Sequence, residues 1–99
     1  MVSIFKYPFS IYSMKHNRIN DNFSIPMPDK SQILTVQMQS VRNVPCIWAI
    51  VDTHMPFIDR HFTIKGTGHP IGVEESLKYI GTIQEWGGGF VWHVFERIL

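Results

Sequence analysis

One cysteine, Cys46, is all this chain has, which excludes an internal disulfide and any zinc site built on several cysteines. Charge is scarce as well. Charged residues are 17% of the chain, against about 25% in ordinary globular proteins. The formal net charge is +1, so no bulk field steers the protein to nucleic acid or to an acidic membrane. No apolar run approaches the roughly 20 residues of a membrane span, and no charged segment followed by a long apolar stretch opens the chain. The expectation is a soluble, cytoplasmic protein. The motifs H-x-H, H-E-x-x-H, G-x-S-x-G, G-x-G-x-x-G and the Walker pattern are all missing. The sequence therefore states no reaction, and no catalytic residue, metal ligand or cofactor is assigned from it.

What is present is aromatic and β-like. Ninety-nine residues make one domain, spanning residues 1–99, at 44% apolar and 13% aromatic content. Such a chain buries a core without disulfides, with little surplus stability. Ser3–Tyr7 is aromatic and β-branched and is followed by Pro8, so it is an edge strand. Residues 13–22 are polar and rich in Asn, a loop. Phe23–Pro28 is a further short strand. In Ile33–Gln39, Leu34, Val36 and Met38 alternate with Thr35, Gln37 and Gln39, the pattern of a half-buried strand. Cys46–Val51 is apolar on both faces, which suggests a central strand and a buried thiol. Asp52–Asp59 is a loop. His61–Lys65 alternates again, with Phe62 and Ile64 inward. Val73–Leu77 holds at most one short helical turn. Leu77–Trp86 and Phe90–Phe95 form a hairpin across three glycines. The fold expected is mainly β, a single-domain antiparallel sandwich or small barrel of about six to seven strands.

Two glycine elements stand out, Gly66-Thr67-Gly68-His69 and Gly87-Gly88-Gly89. Glycine amides in such loops can cradle a phosphate, with Arg60, Lys65, His69 and Arg97 as supporting charges. Trp86, beside the triplet, can stack a base. The candidate ligand-binding set is therefore Arg60, Lys65, Gly66, Thr67, Gly68, His69, Trp86, Gly87, Gly88 and Arg97. The simpler explanation for each loop is a turn that needs positive φ. A metal site from Asp59, His61 and His69 is less favoured, since no spacing motif supports it. Glu74 and Glu75 are adjacent and diverge, so they suit a solvated turn. In the last strand Phe90, Trp92 and Val94 share one face and Val91, His93 and Phe95 the other. That strand is either central or meets a second subunit.

The segments Ile4–Pro8, Ile33–Gln37, Trp48–Asp52, Phe62–Ile71, Leu77–Gln84 and Gly87–Glu96, in that order, resemble a family of short proteins of tailed bacteriophages and prophages, a domain of unknown function. The resemblance covers nearly the whole chain and is most specific at Gly66–Ile71 and Gly87–Glu96. The Tyr12–Asn22 stretch is longer than the connection expected there. The resemblance implies a small accessory phage protein in the host bacterial cytoplasm. It implies a non-catalytic binding protein, a homo-oligomer, that interferes with a host or anti-defence process. Its partner would be a small phosphate-containing nucleotide signal or a host protein. The alternatives are a small nucleotide-directed hydrolase or lyase, with His69 or His93 as acid–base, and a structural or assembly component of the phage.

Overall fold

The computed structural model describes residues 1–13, 18–19, 21–39, 43–85 and 88–98. Seven strands build two antiparallel sheets. They are β1 (Val2–Pro8), β4 (Asn22–Pro28), β5 (Gln32–Gln39), β6 (Val44–Asp52), β7 (Phe57–Gly66), β8 (Leu77–Glu85) and β9 (Phe90–Arg97). Two two-residue strands, β2 (Tyr12–Ser13) and β3 (Arg18–Ile19), pair with each other. One sheet runs β1-β6-β5 and the other β4-β7-β9-β8. No α-helix occurs among the described residues. Of Val73–Leu77, expected to hold at most one helical turn, Val73 and Glu74 form a turn and Leu77 opens β8. Among the described residues no helix is long and apolar enough to cross a membrane.

The sheets pack face to face. Ile47, Ala49 and Val51 on β6 and Val36 on β5 meet Phe62 and Ile64 on β7, with Ile83, Trp92 and Val94 completing the core. This is the sandwich that the alternation predicts, with β6 and β9 central in their sheets as their two-sided apolar character requires. Cys46 is fully buried, and burial pushes its thiol pKa up, partly offset by Lys6.

Three expectations need correction. Residues 13–22, expected as a loop, include Ser13 of β2, the two residues of β3 and Asn22 of β4, because β2 and β3 pair antiparallel. Leu34 does not share a face with Val36 and Met38, because a β-bulge between Ile33 and Thr35 inserts one residue there. Ile33 takes the inward position opposite Ala49, and Leu34 is exposed. The loop expected over Asp52–Asp59 is shorter, because β7 begins at Phe57 and pairs Phe57–Asp59 with Pro26–Pro28.

A second bulge, between Tyr79 and Gly81 on β8, faces the first across one side of the sandwich. There β5 and β8 approach so closely that a Cβ on Gly81 would lie 2.8 Å from Cγ1 of buried Val36. Valine is stiff at χ1 and cannot swing aside. Gly81→Ala is therefore expected to destabilise by about 1–3 kcal/mol, the usual cost of overpacking. Urea unfolding of Gly81→Ala against Gly81→Ala/Val36→Ala tests this, since the double variant should recover much of the loss.

Candidate functional site

Gly66 ends β7, and the chain turns at once. The amide of His69 donates to the Gly66 carbonyl at 3.0 Å, and Gly68 has φ +88°. A closing bond with positive φ only at the third position is the pattern of a type II turn, which glycine satisfies without strain. The Gly66 amide donates in return to Nδ1 of His69 at 3.2 Å. The ring lies against Gly66, where a Cβ would meet its Cε1 at 2.8 Å. Because Nδ1 accepts this bond, the neutral ring carries its proton on Nε2.

The turn is tied to the sheet through His93. Thr67 Oγ1 lies 2.8 Å from His93 Nε2, and Thr82 Oγ1 lies 3.0 Å from Nδ1. Tyr79 OH continues the chain to Thr82 Oγ1 at 2.5 Å. Both ring nitrogens of His93 are thus engaged by hydroxyls. A substrate would have to displace one of them before this ring moved a proton for it.

Four residues, 86–89, connect Glu85 to its partner Phe90, and Gly88 has φ +95°. Trp86 and Gly87 lie outside the described residues. The hairpin end and the type II turn flank one open cleft of about 370 Å³, lined by Gly66, Thr67, His69, Gly89, Phe90, Val91 and Trp92. The Phe90 ring is half exposed and stacks on Trp92, at 6.2 Å between centroids and 8° between planes. Two glycine elements some twenty residues apart in sequence thus meet in space.

The cations are placed differently. Arg60 lies six residues before Gly66 on the same strand, roughly 20 Å away at about 3.3 Å per residue. Its Nε and Nη2 donate to the two carboxylate oxygens of Glu96, at 2.5 and 3.0 Å, and Nη1 donates to the Ser31 carbonyl at 2.7 Å. Lys65 is next to the turn, but its Nζ is 3.2 Å from Glu75. Arg97 lines a separate hollow with Glu74, Glu75 and Ser76. Among the described residues lining the cleft there is no lysine or arginine. The cleft can receive a flat ring against Phe90 and hydrogen-bond it from His69 or Thr67. It offers a phosphate no fixed positive charge from those residues.

Glu75 shows how these charges are used. The Gly72 amide donates to it at 2.5 Å, and Lys65 donates at 3.3 Å. The Gly72 bond first, then Lys65 and Arg97, hold its carboxyl below the usual carboxylate range. A depressed folded pKa stabilises the fold above the ordinary Glu range, and that contribution is lost as pH falls through the depressed value. Glu75→Gln is accordingly expected to flatten the acid side of a stability-against-pH curve measured by thermal melting. An unaltered acid limb would show that these bonds do not form.

Sequence reasoning missed a second concavity. Glu85 is 6% exposed, and its Oε1 accepts from Trp92 Nε1 at 2.6 Å and from Tyr12 OH at 2.9 Å. The carboxylate raises the Tyr12 pKa, after burial as the larger cause. Phe9, Ser10, Ile11, Tyr12, Asn43, Val44, Pro45 and Glu85 surround about 490 Å³ there. The signal was legible: Ile83 and Glu85 share strand parity, so an inward Ile83 places Glu85 inward too. Asp59, His61 and His69 form no metal cluster, and no group of three or more His, Cys, Asp or Glu is placed to hold an ion among the described residues.

A family model matches residues 1–99, the whole chain, and its description is Domain of unknown function (DUF7352). The chain belongs to that family. No curated protein and no solved structure matches it.

Proposed function

We propose that this domain is a non-catalytic binding protein of phage type. In the host bacterial cytoplasm it interferes with a defence process by holding a small nucleotide signal in the cleft between the Gly66–His69 turn and the Gly88–Phe90 hairpin end. The observation that carries this reading is the convergence of the two loops on a half-exposed aromatic ring. Phe90 offers a face for a base, and stacking of that kind contributes about 1–3 kcal/mol per base. His69 Nε2–H and Thr67 Oγ1 supply a donor and a hydroxyl for the edge of the ring.

A host protein as occupant is the second reading. What favours it is the pairing of Arg60 with Glu96 and of Lys65 with Glu75, which leaves those cations unsuited to phosphate. An aromatic or apolar side chain of a partner would use the same Phe90 face.

Thermal melting against a panel of cyclic dinucleotides and cyclic ADP-ribose-type compounds tests the first reading. Ligand at a hundredfold excess over Kd stabilises by about 2.7 kcal/mol. In a domain of this size that is a rise of roughly 10–20 °C. Phe90→Ala should remove the rise while leaving the unliganded fold intact, and heat should release the ligand with its mass unchanged. A chemically altered ligand would replace binding by a nucleotide-directed hydrolase or lyase using His69 as acid–base. No shift across the panel would overturn the nucleotide reading, and specific co-purification of one host protein would then establish the second. Incorporation into virions without either would assign a structural role.

A further inference from the structure

The four outer strands of the two sheets are not protected alike. β5 and β8 cover each other at the Val36–Gly81 approach. β4 carries Pro26 mid-strand and Pro28 at its end, and prolines blunt an edge by removing donors. Among the described residues β1 pairs with β6 alone, and it has no proline before Pro8. Its free edge is long, extended and nearly uncharged.

The register says which groups face outward. The Phe9 amide donates to the Pro45 carbonyl, and the Thr53 amide donates to the Met1 carbonyl. These bonds fix the odd-numbered residues as those that exchange hydrogen bonds with β6. The even-numbered residues Val2, Ile4 and Lys6 therefore turn both N–H and C=O to the free edge. Their side chains lie on the outer face of the sheet, where Val2 and Ile4 are exposed beside partly buried Trp48 and Ile50.

We propose that β1 pairs antiparallel with β1 of a second copy about a two-fold axis at Ile4, making one continuous six-stranded sheet. The register is self-complementary. It sets Ile4 against the partner's Ile4 and Lys6 against the partner's Val2, so every outward donor of residues 2–6 meets a carbonyl. It also matches charge. The residue across from Val2 on β6 is Asp52, so Lys6 lies two strands from the partner's Asp52 on the same face. Two strand spacings are roughly 9.5 Å. Lys6 already reaches out over this face, where its Nζ donates to Gln39 Oε1 on β5 at 3.2 Å, and the dimer exchanges that bond for the ion pair. Asp52 is half-exposed, and the His54 amide first, then the Met1 ammonium and the His54 ring, hold its carboxyl below the ordinary range; these contacts all fall on Oδ1, so the lysine would approach Oδ2. A second copy is thus the occupant that satisfies both the edge and its one charge. The pairing is independent of what fills the cleft.

Ile4→Pro makes the decisive variant. It deletes an amide that points to the free edge and takes no part in pairing with β6, so the monomer should keep its circular dichroism and its thermal transition. Sedimentation equilibrium should find the wild type dimeric and Ile4→Pro monomeric, with association weakened at least about a hundredfold by the lost edge bonds and the ring. Lys6→Asp and Asp52→Lys should each weaken association several-fold, and the double exchange should restore it. A wild-type protein that stays monomeric at high micromolar concentration overturns the proposal. So does an Ile4→Pro variant that folds and remains dimeric, which would move the interface elsewhere. Should Ile4→Pro fail to fold, the charge exchange decides alone: no restoration in the double variant overturns it.

Discussion

Arg60→Met is expected to cost about 3–5 kcal/mol, because it leaves a buried carboxylate without its cation. Glu96 sits on the inner face of β9 directly across from Phe62, and its side chain is 11% exposed. Arg60 is its counterion through two bonds, and the third bond of the guanidinium satisfies the Ser31 carbonyl between β4 and β5. Loss of the arginine removes all three at once. Domains of this size hold only about 5–15 kcal/mol in total, so the variant should be close to the edge of folding at ambient temperature. The companion Arg60→Met/Glu96→Leu removes both charges and keeps apolar volume, and such replacements are often neutral or stabilising. Urea midpoints of the two variants against wild type measure the difference. A single variant that costs less than about 1 kcal/mol, the range of exposed ion pairs, would show that the pair is solvated rather than buried. The result also bears on ligand binding. Weak binding by an Arg60 variant would report lost fold, so affinity must be compared at matched folded fraction.

Alternation carried most of the fold. The face of β7 holding Phe62 and Ile64 follows from period-two patterning, the central position of β6 from a run that is apolar on both faces, and the β8–β9 hairpin from the glycines between two aromatic segments. Leu34 escaped because a bulge shifts parity by one residue and leaves no mark in composition. Phe57–Asp59 escaped because its side chains are exposed, so nothing in their polarity separates strand from loop. Gly81 did carry a signal, since glycine inside a strand often marks a bulge or a close approach. Here it marks both. The candidate site was half legible. Gly66, Thr67 and His69 line the cleft with Gly89 and Phe90, whereas Gly68 and Gly88 serve turn geometry through positive φ. Arg60, Lys65 and Arg97 were chosen by charge and nearness in sequence, and neither says which carboxylate a cation will meet. Glu96 and Glu75 meet two of them because strand pairing and the Gly72 turn bring them there.

Phe62→Ala is the second large effect, expected at about 3–5 kcal/mol for a buried aromatic. Phe62 is wholly buried on the inner face of β7. Its ring stacks on Phe23 of β4 at 5.4 Å, and Phe23 stacks on Phe9 at 4.5 Å. Phe9 follows β1 and is bonded to Pro45 of β6. The three rings therefore tie the end of one sheet to the edge of the other, on the side away from the β5–β8 seam. Truncating Phe62 loses its own burial and removes the support beneath Phe23, so a cavity opens between the sheets. Phe57→Ala is the internal control. Phe57 lies on the same strand but is 66% exposed, and a surface change of that kind costs within about 0.5 kcal/mol. Both variants exchange the same residue types in β7, so the difference in their urea midpoints isolates burial from strand propensity. Equal midpoints would mean that β7 does not pack across the sandwich at Phe62, and the face-to-face arrangement of the two sheets would fail with it.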